Sequence, residues 1–328
     1  MLKNLFSRKG PEPAITQRPF RFGLNFSAVI GREELIDTAQ MAEDLGYDVF
    51  GVSDHLHHGF AQLAPLLTLA TVAQHTRHIG LQTLVLANDF RHPVVLANEA
   101  ASLQELSGGR FALGLGAGWF APDYTASGIP FHAAPARVAR VTEAVEILHG
   151  LQSGGPFTFA GEHYQVDALS GASIPCGKRV PLLVGGSGPV LLSLAARQAD
   201  TVGLNPGFPM SYGQWQSGPT PYADATDTKM GWILEAAGER AGDIEIQASV
   251  LAGGITHQDP STLIEPVVAA MGVTAPQLAG CPHFLAGPLE DCVAEVRTWR
   301  DRWGISYVTF PHTMAREMAP LVAELRGR

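Results

Sequence analysis

The chain has 328 residues and a formal net charge of −9, with 46% hydrophobic and only 16% charged residues. This composition supplies a large buried core, and the lack of any Lys/Arg cluster argues against nucleic acid as a partner. No apolar run is long enough to cross a bilayer, and no apolar segment follows the basic N-terminal residues as it would in a signal peptide. Cys176, Cys281 and Cys292 are too few and too scattered for a disulfide framework. The sequence therefore predicts a reduced, cytoplasmic protein without a membrane partner.

Short strand-like runs alternate with stretches of helical periodicity from residue 21 onwards. The pattern in the first half predicts strands over 21–26, 48–55, 79–87 and 110–119, and helices over 32–46, 66–77, 93–106 and 137–151. The second half predicts strands over 181–186, 199–206, 244–253 and 305–310, and helices over 189–198, 227–241, 288–303 and 315–325.

Eight alternating strand–helix units imply a parallel sheet with helical crossovers. Eight units in one chain of this length favour a closed (β/α)8 (TIM) barrel over an open sheet. An open dinucleotide-binding sheet would carry G-x-G-x-x-G after its first strand, and that motif is absent there. We therefore predict an α/β protein built as a (β/α)8 barrel.

The rest of the chain suggests one domain with additions. Residues 1–18 are predicted to form a flexible, polar N-terminal leader, and residues 19–328 are predicted to form a single barrel domain. Two insertions interrupt the alternation: residues 154–176 contain FTFAGEHYQV, which predicts a β-hairpin, and residues 207–226 are rich in Gly, Pro, Ser and Tyr. We expect both insertions at the C-terminal face of the barrel, where active sites of this fold are built.

The second strand ends in Ser53-Asp54-His55, and His57 and His58 follow. A His beside a carboxylate at the barrel mouth can exchange a proton near neutral pH. The structural alternative is an Asp that caps the next turn and a His that packs at the rim.

The His55-x-His57 pair also resembles the metal-binding pair of barrel hydrolases. Such a site needs further ligands from later strands, and the chain offers only His257 and His312 there, without an Asp at the end of the last strand. No metal site is predicted, and a metal-dependent hydrolase is kept as the less favoured alternative.

Two glycine-rich turns lie at other predicted strand ends. The run GLGAGW over 114–119 would let a planar ring approach the backbone closely, or would simply form a tight turn. The run Gly185-Gly186-Ser187-Gly188 precedes a helix, and bare amides at a helix N-terminus bind phosphate. Together with Asp54 and His55, these turns predict a flat, phosphorylated cofactor.

These residues resemble a known family. Three stretches carry the resemblance: the SDH motif, TLVLANDFRHPVVLANEAASLQELSGGRFALGLGAGW and PLLVGGSGPVLLSLAARQADTVGL. Through them the chain resembles luciferase-like oxidoreductases, and most closely their coenzyme F420-dependent branch. The resemblance covers residues 21–310. It implies a barrel enzyme that holds coenzyme F420, with FMN as the alternative cofactor.

The resemblance also implies residue roles. Asp54 would contact the deazaflavin ring system, and His55 would handle a proton beside its reactive carbon. Leu84 and Val85 stand where relatives often carry a cis peptide bond that supports the ring. The remaining positions are implied to line the ring or to bind the phosphate: Ala87, Ala117 and Gly118 for the ring, and Gly185, Gly186, Ser187 and Gly188 for the phosphate.

The chain departs from one branch of this superfamily. Its sugar-phosphate dehydrogenases carry a catalytic Glu just after the strand-four glycines and an Asn three residues later, whereas Trp119 and Pro122 stand here. A sugar-phosphate substrate is therefore not expected. Trp119 could stack on the substrate or close the core, and His57 and His58 are candidates for substrate binding.

The leading hypothesis is an F420-dependent oxidoreductase that transfers a hydride between the deazaflavin and a small organic substrate. The alternatives are an FMN-dependent luciferase-like monooxygenase, the metal-dependent hydrolase, and a barrel that binds flavin without catalysis. The resemblance further implies a homodimer and allows for a separate enzyme that reduces the cofactor.

Overall fold

The structure is a computed structural model that describes residues 15–57, 62–171, 176–207, 222–271, 274 and 278–328. His58, most of the predicted leader and residues 208–221 of the second predicted insertion lie outside the described residues. No helix among the described residues is both long enough and apolar enough to span a membrane.

The strands are short and, in the barrel, mostly buried along their whole length. In chain order they are β1 Arg21–Phe26, β2 Val49–Val52, β3 Gly80–Thr83, β4 Leu86–Ala87, β5 Phe111–Gly116, β6 Pro156–Ala160, β7 Gln165–Ser170, β8 Leu182–Gly186, β9 Thr201–Leu204, β10 Glu245–Ser249, β11 Ala252–Ile255, β12 Phe284–Gly287 and β13 Ile305–Pro311.

The α-helices connect these strands. In chain order they are α1 Arg32–Asp44, α2 Pro65–His75, α3 Pro93–Leu106, α4 Ala121–Ser127, α5 Ala134–Gln152, α6 Pro189–Gln198, α7 Ala223–Ala237, α8 Ser261–Met271, α9 Leu289–Trp303 and α10 Ala315–Leu325.

Eight parallel strands close into the predicted barrel. The order around it is β3-β2-β1-β13-β10-β9-β8-β5, and β3 pairs with β5 to complete the ring. The short β4 pairs with the end of β5. A closed parallel sheet places all strand C-termini at one end, so the loops after them share one rim. The predicted (β/α)8 fold is confirmed.

The core has two layers, which explains why barrel strands carry apolar residues on both faces. The larger layer lies between the strands and the surrounding helices. A smaller cluster of Val49, Leu84, Leu183 and Tyr307 lies apart from it, with Val85 packed against it. The Tyr307 hydroxyl donates to Gln82 Oε1 at 2.7 Å, so this buried phenol has a polar partner.

Several predicted boundaries are wrong. The predicted strand 244–253 is two strands, because β11 leaves the barrel and pairs in parallel with β12, with α8 between them. Gly253, inside β11, permits the close pairing with β12: its φ is +148°, and a Cβ there would lie 1.8 Å from the Leu285 carbonyl oxygen. The predicted strands 48–55 and 110–119 end earlier, at Val52 and Gly116.

Two further elements differ from the prediction. The strand predicted over 79–87 is two strands, β3 and β4, and the Leu84-Val85 peptide bond between them is cis. The helix predicted from 227 already begins at Ala223.

The first predicted insertion is a hairpin, as expected, but its ends do not flank a strand C-terminus. Strands β6 and β7 form an antiparallel pair that follows α5 and precedes β8. Because α5 returns from the rim, the hairpin starts at the opposite end of the barrel. Its turn extends back towards the C-terminal rim. There the Tyr164 hydroxyl accepts a hydrogen bond at 3.1 Å from Nδ2 of Asn88, the residue that follows β4.

We predict that Gly114→Ala destabilises the barrel. A Cβ at this position would lie 1.9 Å from the Thr83 carbonyl oxygen, so the backbones of two neighbouring strands must separate. Overpacking of this kind costs about 1–3 kcal/mol, which urea unfolding would measure.

Gly231→Ala is the matched control. Gly231 lies inside α7 with nothing within 4 Å of the added Cβ, so alanine should stabilise the protein by about 0.5–1 kcal/mol. Equal free energies of unfolding for the two variants would contradict the packing described for Gly114.

Candidate active site

The predicted site residues lie at one rim of the barrel. They follow β2, β4, β5 and β8, which are neighbours around the ring. Direct contacts connect them: the Ala87 amide donates to Asp54 Oδ2 at 3.2 Å, and Ala87 pairs with Gly116. The Val85 side chain lies between β5 and β8, because Cβ atoms added to Gly116 and Gly185 would approach it to 2.9 and 3.3 Å. The structure therefore brings the three sequence motifs together.

Asp54 is buried and neutralised by Arg91. The guanidinium donates to both carboxylate oxygens, at 2.6 and 3.3 Å, and only 2% of the Asp54 side chain is exposed. Such a bidentate pair fixes the orientation of the carboxylate. The Asp54 side chain, just after β2, is therefore fixed in place at the rim, and its charge is balanced by Arg91.

His55 forms a buried pair with Asp123. Its Nδ1 lies 2.7 Å from Asp123 Oδ2, and the exposed fractions of the two side chains are 15% and 3%. An ionised carboxylate can only accept, so Nδ1 carries the hydrogen of this bond, and in the neutral ring Nε2 is then the acceptor nitrogen. This arrangement suits His55 for proton exchange through Nε2.

The other carboxylate oxygen of Asp123 holds the chain around His55. Oδ1 accepts from the Leu56 amide at 2.8 Å and from the His57 amide at 2.6 Å. Asp123 therefore fixes both the ring and the backbone of the 55–57 segment.

Sequence reasoning missed Asp123, which belongs to the seven-residue helix α4. The signals of this helix were present, since Pro122 and an acidic residue stand in its first turn and Gly128 ends it in a left-handed conformation. The side chain itself lies 68 residues from His55 in the sequence. No local pattern could connect the two.

Aromatic rings surround His55. The Trp119 and Phe120 rings meet its imidazole edge-on, with centroids at 5.9 and 5.7 Å. Phe120 is 5% exposed and also contacts the His57 ring, whereas Trp119 is 49% exposed. Phe120 therefore closes the core, and the indole of Trp119 faces outward at the rim.

The turn after β5 is tightly packed. Gly118 has φ +69°, and a Cβ there would lie 1.9 Å from the Tyr124 hydroxyl. Burial, together with the neighbouring Asp89, raises the pKa of Tyr124 above its usual value, so the phenol stays neutral. Ala117 and Gly118 are both half-buried beside this turn.

The predicted phosphate loop leads into a bare helix N-terminus. Gly185 and Gly186 end β8, and Gly188 is the N-cap of α6 without any side-chain cap. Nothing lies within 4 Å of a Cβ added at Gly188, so the space before the helix is open. The first amides of a ten-residue helix point there with the positive end of its dipole.

Among the residues that the structure describes, no group of three or more His, Cys, Asp or Glu side chains is arranged to hold a metal ion.

Comparison with known families agrees with this geometry. The profile of the family described as luciferase-like monooxygenase matches residues 17–217. The chain belongs to the luciferase-like monooxygenase family.

Several known proteins are similar to this chain in sequence. An F420-dependent glucose-6-phosphate dehydrogenase from Nakamurella multipartita is 32% identical over 81% of this chain and 77% of the relative. One of the same name from Nocardia farcinica is 30% identical over 79% of this chain and 75% of the relative. Another, from Microbacterium testaceum, is 35% identical over 56% of this chain and 55% of the relative.

Solved structures of other proteins share the fold. An F420-dependent secondary alcohol dehydrogenase, in complex with an F420-acetone adduct, superposes with a TM-score of 0.74 at 19% identity, over 94% of this chain and 99% of that one. The coenzyme F420-dependent tetrahydromethanopterin reductase from Methanopyrus kandleri gives 0.72 at 17% identity, over 94% and 100%. At these identities the likeness establishes the barrel.

We predict that Asp123→Asn reverses the tautomer of His55. The side-chain oxygen of the introduced Asn would still accept hydrogen bonds from the backbone amides of Leu56 and His57. Its NH2 group would then face Nδ1 of His55 as a donor, so the ring proton should move to Nε2. Imidazole 15N NMR at mildly alkaline pH would detect the change.

His75 is an internal control, because its Nδ1 faces the Thr71 carbonyl oxygen at 2.8 Å and should remain protonated in both proteins. If the His55 spectrum were the same in both, the His55–Asp123 contact would be misassigned.

Proposed function

We propose that this protein is an F420-dependent oxidoreductase that transfers a hydride between the deazaflavin and a small organic substrate. The observation that carries the proposal is the meeting of the His55–Asp123 pair with a bare helix N-terminus on one barrel rim. The F420-dependent relatives that resemble most of the chain support this cofactor.

The residues present fit such a cofactor. Gly185 ends the buried strand β8, Gly188 leaves open space before α6, and the helix amides would bind the phosphate. Val85, packed against the β5 and β8 glycines, would support one face of the ring. Leu84, Ala87, Ala117, Gly118, Gly186 and Ser187 complete the proposed lining. When bound, F420 supplies hydride transfer chemistry.

His55 would exchange the proton that accompanies the hydride. Its Nδ1 is held by Asp123, so Nε2 is the atom that would take a proton from, or give one to, the substrate. Asp54, neutralised by Arg91, would orient the ring system without adding net charge. Trp119, His57 and His58 would contact the substrate and help exclude water.

The proposal includes the predicted organisation of the chain: a single domain over 19–328, a homodimer, and a separate enzyme that reduces the cofactor. These parts rest on the family resemblance.

We predict that Gly188→Asp weakens F420 binding by about tenfold or more, because a carboxylate would stand where the cofactor phosphate binds. The site tolerates the side chain, since the space around its Cβ is open and φ is −100°. The Kd would come from equilibrium titration by deazaflavin absorbance.

Gly188→Asn is the matched control, since Asn and Asp cap a helix equally well and have nearly the same shape. We expect it to weaken binding much less. Equal F420 affinity in the two variants would show that the phosphate binds elsewhere.

We also predict that His55→Gln lowers kcat about 10²- to 10⁴-fold without a comparable loss of F420 affinity, because it removes the proposed acid/base group. The rate would be followed as F420H2 oxidation with a carbonyl compound that the wild type reduces. His78→Gln, on an exposed loop, is the control. A His55→Gln enzyme of normal rate would assign the proton transfer to another group.

A further inference from the structure

We infer that the substrate of the proposed reaction is an uncharged molecule with an apolar or aromatic part, and not a phosphate ester. The inference rests on the proposed function, because it concerns the same site. It separates this chain from the glucose-6-phosphate dehydrogenases that resemble it in sequence.

A phosphate ester is normally bound by Arg or Lys side chains that can donate to it. Two of the arginines near the rim are already committed to carboxylates. Arg91 binds Asp54 through both terminal nitrogens, and Arg140 binds Asp89 at 2.8 Å through two nitrogens. The carboxylates are 2% and 5% exposed, so each pair is a neutral, internal unit.

Arg137 is committed to the backbone. Its guanidinium donates to the carbonyls of Ala117, Gly118 and His132, and it stacks 4.1 Å from the Phe131 ring centroid. Arg137 therefore stabilises the turn after β5, and its donors are used by the backbone.

Lys229 is also internal. Its side chain is fully buried, and Nζ donates to the Asn205 carbonyl oxygen at 2.8 Å. Burial lowers the pKa of Lys229 to about 8, but the amine stays mostly charged at pH 7, and its position inside the protein keeps it from an external phosphate.

The other described cations that follow strand C-termini lie away from His55. The guanidinium of Arg32, at the start of α1, lies 3.5 Å from His75 Nε2. His75 is the last residue of α2, so this guanidinium points towards the end of the barrel opposite the rim. Arg316 is exposed in the first turn of α10, after β13, which is two strands from β2 around the ring.

The segments outside the described residues add no cation after residue 14. Residues 58–61, 172–175, 208–221, 272–273 and 275–277 contain neither Lys nor Arg. Within residues 15–328, a dianionic phosphate at this rim would therefore lack the usual side-chain donors.

The rim is instead apolar. Leu56 is 51% exposed, Trp119 49% and Phe131 38%, and the first two stand directly beside His55 in sequence or in space. Apolar and aromatic side chains around a few placed polar groups are typical of sites for uncharged organic ligands. A substrate at His55 would lie close to the Trp119 ring, whose centroid is 5.9 Å from that of the imidazole.

The test compares glucose 6-phosphate, benzyl alcohol and benzaldehyde on the protein loaded with F420 or F420H2. We expect the uncharged probes to bind and glucose 6-phosphate to bind at least tenfold more weakly by calorimetry, with no reduction of F420. Glucose 6-phosphate binding more tightly than both uncharged probes, or reducing F420, would overturn the inference, as would failure of both uncharged probes to bind.

Trp119→Ala gives a second measurement. It should weaken binding of benzyl alcohol about tenfold, with F420 affinity unchanged, because it removes the aromatic contact. Leu67→Ala, at an exposed apolar position on α2, is the control and should leave binding unchanged. If Trp119→Ala bound benzyl alcohol as tightly as the wild type, the apolar rim around Trp119 would not be part of the substrate site.

The two proposals fail differently. Absence of F420 binding would refute the proposed function itself. Normal F420 binding with preferred binding of glucose 6-phosphate would refute only the substrate class, and loss of that binding in Arg316→Ala would identify the cation responsible.

Discussion

The site depends on the pairing of β3 with β5, which closes the barrel. Leu81 and Gln82 meet Phe111 and Ala112 in this register, and closure brings the ends of β2, β4, β5 and β8 side by side. Only then can Val85 pack against the glycines of two other strands, and only then does α6 begin beside the turn that carries Trp119. The chemistry follows from this topological constraint, because each strand end contributes a single part of the site.

The carboxylate of Asp123 has the corresponding role at shorter range. It accepts from the His55 ring and from two backbone amides, so a seven-residue helix after β5 fixes the segment after β2. Asp54 makes a similar connection from β2 to the Ala87 amide and Arg91. Buried charges at the rim are thus used internally, which leaves an apolar surface for a substrate.

Much of this could be predicted from the sequence, for identifiable reasons. The regular alternation predicted all eight barrel strands, and helices α3, α6 and α10 have the predicted bounds because Pro or Gly stands near their ends. The β10–β11 break was missed because β11 is defined by pairing with β12, about 30 residues away. The His55–Asp123 contact was missed for the same reason: its partners meet only after closure.

The central claim is that the rim holds coenzyme F420, and equilibrium titration of the purified wild-type protein with F420 and with FMN tests it most directly. The account predicts an F420 dissociation constant of about micromolar or lower, roughly −8 kcal/mol, and much weaker binding of FMN. Tighter binding of FMN, or no binding of F420, would contradict it.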